Sequence, residues 1–193
     1  MNPNTELQII NNIKTPLIEE PHKYHAFVGP RDLSGMPEEK IDEYKQQVHV
    51  TCAAGTMVRT GAAPGADQLS ADSALYLEEK VSLCLPWKGY QKEWRRIIPR
   101  HLVEELIFDE SIHKEAADSV DKYHPNPLAV KSNFATFHLM GRNYLIMVDP
   151  KTGPVGRVVA LCYLDEQGKP KGGTGQAIRI AEALGIPTLL IHP

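Results

Sequence analysis

Three glycine-bearing segments each come after an apolar, strand-like run, and they carry most of the chemistry the sequence offers. Gly29-Pro30-Arg31-Asp32 follows Tyr24–Val28, Gly61-Ala62-Ala63-Pro64-Gly65-Ala66-Asp67 follows Thr56–Thr60, and Lys169-Pro170-Lys171-Gly172-Gly173-Thr174-Gly175-Gln176 comes after Arg157–Tyr163. Glycine allows backbone N–H groups to approach an anion closely at the positive end of a helix, a geometry that suits phosphate. Lys171 and the Thr174 hydroxyl add a charge and a donor, and Arg31 can face the same crevice as a planar fork for phosphate. Arg142 and Asn143 stand in a helical stretch otherwise rich in apolar residues, where a buried polar pair needs partners. Asp67 reads as a helix cap or, together with Arg142, as a candidate for catalysis. Asp165 and Glu166 read as the solvated rim of a loop.

Trp87, Tyr90 and Trp94 are interleaved with Lys88, Lys92, Arg95 and Arg96. Such a pattern can stack on a base or on single-stranded nucleic acid. Tyr90 and Trp94 are four apart, which also suits one helix face on a core; Trp87 stays a ligand candidate. The eight histidines have neither H-E-x-x-H nor paired-cysteine spacing, so neither a metal nor a cofactor is expected.

The elements that must position these residues follow from periodicity. Strands are expected at Tyr24–Val28, Thr56–Thr60, Val81–Leu85, Arg157–Tyr163 and Pro187–Ile191. Helices are expected at about 38–54, 66–80, 99–107, 128–147 and 176–184, the last capped by Gly185. Strands alternating with helices imply right-handed crossovers and an α/β, doubly wound, mostly parallel sheet of about five strands with helices on both faces. The loops after the first, second and fourth strands then emerge at the carboxyl edge, where such sheets bind ligands near the reversal of strand order. The less regular stretch 88–127 is expected to be a helical insertion in one domain spanning 1–193.

The chain has 193 residues, 42% hydrophobic and 23% charged, with a net charge of −3, which fits one globular domain and argues against a protein that sheathes duplex DNA. Its three cysteines, Cys52, Cys84 and Cys162, form no C-x-x-C pair and are expected to be reduced and buried. Neither a secretory leader nor an 18-residue apolar run is present, so a cytoplasmic protein with no membrane partner is expected.

Taken together, Phe27-Val28-Gly29-Pro30-Arg31, Thr60–Asp67, Leu85-Pro86-Trp87, Gly141-Arg142-Asn143, Gly172–Gly175 and Gly185-Ile186-Pro187 resemble the SLOG superfamily of Rossmann-like proteins. That group includes the DNA-processing protein DprA and the LOG nucleotide phosphoribohydrolases, and the chain looks most like the stand-alone nucleotide-binding members of bacterial and phage genomes. The resemblance implies a nucleotide or nucleotide-derived phosphorylated ligand, a signalling nucleotide included, held by Gly29, the Gly61–Asp67 loop and the Gly172–Gly175 loop. It also implies a homodimer or higher homo-oligomer, and the host cytoplasm if the source is a phage. Two alternatives stay open: cleavage of an N-glycosidic bond in the LOG manner, and DprA-like binding of single-stranded DNA in recombination. The LOG signature G-G-x-G-T-x-x-E has its glutamate where this chain has Arg179.

Overall fold

A computed structural model describes residues 22–193. Residues 1–21, the beginning of the domain expected over 1–193, lie outside the described residues. Six strands make one parallel sheet: β1 (Tyr24–Val28), β2 (Met57–Thr60), β3 (Val81–Leu85), β4 (Val103–Ile107), β7 (Val158–Leu161) and β8 (Thr188–Ile191). A two-stranded hairpin, β5 (Val148–Asp149) and β6 (Gly153–Pro154), stands apart from it. The helices are α1 (Glu38–Ala53), α2 (Ala66–Tyr76), α3 (Lys92–Arg96), α4 (Lys114–Tyr123), α5 (Pro127–Lys131), α6 (Phe134–Met147) and α7 (Gly172–Ala183).

The sheet order is β4-β3-β2-β1-β7-β8. The chain winds outward from β1 to β4, then returns to lay β7 on the other side of β1, so the strand order reverses between β1 and β7. Alternation along the strands sorts two cores. Phe27, Val58, Leu83, Leu85, Val159 and Leu161 pack with Tyr44 and Val48 of α1 and Ala71 and Ala74 of α2. On the other face Ala26, Val28, Val158 and Ala160 pack with Leu145, Ile146 and Met147 of α6 and Ile178 and Ile180 of α7. Strands buried on both faces explain the near-continuous apolar runs in β3 and β7.

Three elements differ from the sequence reading. The stretch 99–107, expected to be helical, is a short 3-10 turn at Arg100–Leu102 leading into β4, which pairs with β3 from Val81↔Val103 to Leu85↔Ile107. Ladder hydrogen bonds to a neighbouring strand decide there over local propensity, and they raise the strand count to six. The stretch 128–147 is two helices, because Asn126 and Asn133 each cap one: their side-chain oxygens accept from the N–H of Ala129 at 3.2 Å and of Thr136 at 2.9 Å. The third glycine segment is no loop throughout, since Gly172 to Gly175 form the first turn of α7.

Cys52, Cys84 and Cys162 are all unpaired and buried. Burial pushes the thiols of Cys52 and Cys84 up to about 11, which keeps them protonated at neutral pH. No helix among the described residues is long and apolar enough to cross a membrane.

Candidate functional site

The reversal between β1 and β7 opens a crevice at the carboxyl edge of the sheet, because the connection from β1 leaves toward α1 on one face and that from β7 toward α7 on the other. A cavity of about 520 Å³ fills it. One wall is the loop after β1, Gly29 to Arg31; the opposite wall is Tyr163 with Lys171, Gly172, Gly173 and Thr174; α6 closes the top through Thr136, Leu139, Met140, Arg142 and Asn143, and Asp67 contributes from the start of α2.

The first turn of α7 has no side-chain cap at its N-terminus. Its leading amides thus carry no side-chain acceptor, and Gly172, Gly173 and Thr174 put this positive helix end at the cavity wall. Asn143 ties this turn to α6, its Nδ2 donating to Gly173 O at 3.3 Å and to Gln176 Oε1 at 2.8 Å. Gly175 allows the turn to fold back against the Pro170 carbonyl, where a Cβ would overlap. Lys171 and Arg31 stand exposed at the rim.

The α2 end is built differently. Ala66 N–H donates to Pro30 O at 3.0 Å, Gln68 N–H to Ala63 O at 3.1 Å, and the Ala63 N–H to Asp67 Oδ2 at 3.3 Å. These amides are spent inside the protein. Gly65, at φ +83°, lets the loop pass against the carbonyls of Pro30 and Arg31, which a Cβ would overlap. Gly65→Ala is accordingly expected to lower stability by about 1–3 kcal/mol, read as a fall in the urea midpoint at unchanged slope.

Asp67 and Arg142 form a buried ion pair, with both Nη1 and Nη2 of Arg142 donating to Asp67 Oδ2 at 3.3 Å. The guanidinium lies over Gly61, the position where any Cβ would overlap it. Burial pushes the Asp67 carboxyl above its usual range, opposed by the neighbouring Arg142 charge and the Ala63 amide. Arg142 Nε has no partner among the described residues, nor has Gln176 Nε2.

Of the residues expected at a site, Gly29, Arg31, Asp67, Arg142, Asn143, Lys171, Gly172, Gly173 and Thr174 line the cavity. Gly61, Ala62, Gly65, Ala66, Gly175 and Gln176 lie behind its walls, where they permit close packing. Trp87 is set against Tyr90 in an edge contact of 5.1 Å and does not line the cavity. Trp94 packs on the first core and donates to Asp72 at 3.1 Å. Thr136, Leu139, Met140 and Tyr163 were not foreseen. The spacing 136, 139, 140, 143 on α6 is the one signal that could have found the first three, since it puts them on the face that carries Asn143.

No family model matches the chain, and no curated protein matches it significantly. Among solved structures it is similar to DprA from Streptococcus pneumoniae, at 18% identity and a TM-score of 0.56, covering 88% of this chain and 50% of that one. It is similar to DprA from Helicobacter pylori, described for its single-stranded DNA binding mode, at 14% identity and a TM-score of 0.55, covering 88% and 65%. It is also similar to the Moco carrier protein from Chlamydomonas reinhardtii, at 12% identity and a TM-score of 0.50, covering 89% and 78%. The chain spans half to two-thirds of the DprA chains. It shares its α/β Rossmann-like fold with these proteins.

Proposed function

We propose that the cavity binds a phosphorylated nucleoside ligand, with the phosphate on the first turn of α7. What carries this reading is that uncapped turn, opening into a cavity of about 520 Å³ at the reversal of the strand order, between the cations Lys171 and Arg31. The phosphate accepts from the amides of Gly172 to Thr174 and from the Thr174 hydroxyl. Leu139, Met140 and Tyr163 supply apolar and aromatic surface for the base. The ligand places one anionic group at α7 rather than two across the crevice, because the amides at α2 are already bonded and Asp67 presents a carboxylate on that side.

Calorimetric titration against mononucleotides, dinucleotides, cyclic nucleotides and single-stranded DNA tests the reading. Saturable binding of one nucleotide class is expected. Lys171→Glu, which reverses a charge at the turn without touching the core, is expected to weaken it about 10–100-fold, the scale of one charge-assisted hydrogen bond. Silence across the panel, or affinity indifferent to Lys171→Glu, overturns it.

The likeness to the Helicobacter pylori protein favours single-stranded DNA as a second reading. Against it, two cations of the stretch 88–96 are already engaged, Arg95 with Glu105 and Arg96 with Glu93. The DNA arm of the titration decides: DNA binding with a steep salt dependence supports it, and a flat response removes it.

A further inference from the structure

A second cavity of about 520 Å³ lies near the amino ends of β1, β3 and β4, beside the β5–β6 hairpin, and shares no lining residue with the first. Its floor is unusual for a sheet face. Arg59, Ser82 and Glu104 are Cα partners across β2, β3 and β4, so a polar row crosses three strands of a face that elsewhere carries the second core. Arg59 and Ser82 are buried, and polar groups buried in this way are costly unless each is matched.

Most of the row is matched. Arg59 is 1% exposed; its Nε donates to Ser82 Oγ at 3.0 Å, its Nη2 to Asp149 Oδ2 at 2.6 Å, and the Tyr24 ring centroid lies 3.7 Å from its Cζ. Asp149 also accepts from the N–H groups of Lys151 at 2.7 Å and Thr152 at 2.9 Å. Glu104 accepts from Tyr24 Oη at 2.9 Å and pairs with Lys23 at 3.4 Å, while Glu105 is set against Arg95. Every carboxylate around the cavity is therefore engaged. The unmatched groups are cationic: among the described residues Arg59 Nη1 has no hydrogen-bond partner, and Lys151 forms no ion pair. With Glu105 balanced by Arg95, the cations Lys23, Arg59 and Lys151 face only Glu104 and Asp149, a surplus of one positive charge.

We propose that this second cavity binds a small carboxylate of single negative charge between the Arg59 guanidinium and the Lys151 ammonium. One charge matches the surplus, and a planar carboxylate suits a guanidinium edge. A dianion would add repulsion from Glu104 and Asp149. The proposal is independent of nucleotide binding in the first cavity.

The side-chain signals of arginine, followed by NMR in protein labelled with nitrogen-15 at arginine, provide the test. Acetate, pyruvate and glycine are the carboxylate probes, with inorganic phosphate as the dianion. A saturable shift of the Arg59 signals with acetate or pyruvate is expected, unchanged in Lys171→Glu and roughly tenfold weaker in Lys151→Glu, the scale of one hydrogen bond to a charged group. Lys151 is exposed, so its variant keeps the fold. Arg59 signals that stay still with every probe mean that Nη1 stays enclosed by protein and overturn the proposal. So does a response lost in Lys171→Glu, which belongs to the first cavity, and so does phosphate binding more tightly than the carboxylates.

Discussion

Arg142→Ala is expected to lower folding stability by about 3–5 kcal/mol near neutral pH, the cost of stranding one partner of a buried ion pair. Asp67 would keep only the amide donors in a site that is almost closed to water. The deficit has a defined pH dependence. Burial already raises the Asp67 pKa in the folded protein, so the folded state holds its proton to higher pH than the unfolded chain does. Stability from this group is then greatest below the ordinary carboxylate pKa and declines as pH rises through the raised folded value. Removing Arg142 takes away the charge that opposes the rise, so ionising Asp67 costs more in the variant. Urea unfolding at about pH 7 and about pH 5 should show the gap between wild type and Arg142→Ala narrowing toward acid. A gap that stays constant or widens would mean that Asp67 is not the group left stranded.

Asp149→Ala is expected to have a comparable effect, about 3–5 kcal/mol, because it leaves the Arg59 charge buried with only Ser82 and the Tyr24 ring beside it. It also removes the acceptor that holds the Lys151 and Thr152 amides in the β5–β6 turn. The sign of the pH effect is opposite to that at Asp67. Burial acts to raise the Asp149 pKa, but Arg59 and the two amides outweigh it and hold the carboxyl below its usual range. Its contribution is therefore present above the unfolded carboxylate pKa and is lost as pH falls through the folded value. Wild-type stability should decline with acid over that window more than Asp149→Ala does. Parallel acid profiles for the two proteins would rule out this account.

Much of the fold was legible because the strands announce themselves. The run around Val158–Leu161 is an uninterrupted apolar stretch, and Val81–Leu85 is one broken only by Ser82 and ended by Pro86, the pattern a doubly covered parallel strand requires. β4 was not legible, since Val103-Glu104-Glu105-Leu106-Ile107 mixes acid and apolar residues without a clean period, and only the ladder with β3 settles it. The start of α7 was hidden for a different reason. Glycines disfavour helix locally, yet here Gly175 is what allows the turn to close against Pro170, so the tertiary contact reverses the propensity.

The residues of the first cavity divide along the same line. Those with unusual chemistry, such as Lys171 and Arg142, stood out in the sequence, whereas Leu139 and Met140 look like any core positions. The pairing of Asp67 with Arg142 joins residues 75 apart, which no local spacing encodes. Gly61 was read as a backbone donor, while in the structure it leaves room for a guanidinium.

The placement of β7 beside β1 has a consequence for how the protein is made. The loop that carries Arg31 is synthesised early and the turn that carries Lys171 late, and the two become neighbours only when β7 pairs with β1. Closing so long a stretch of chain is entropically slow. Until it happens a nascent chain on the ribosome can hold β1 to β4 and α6 with no crevice at all, and ligand capture becomes a report that the segment from Val158 onward has docked.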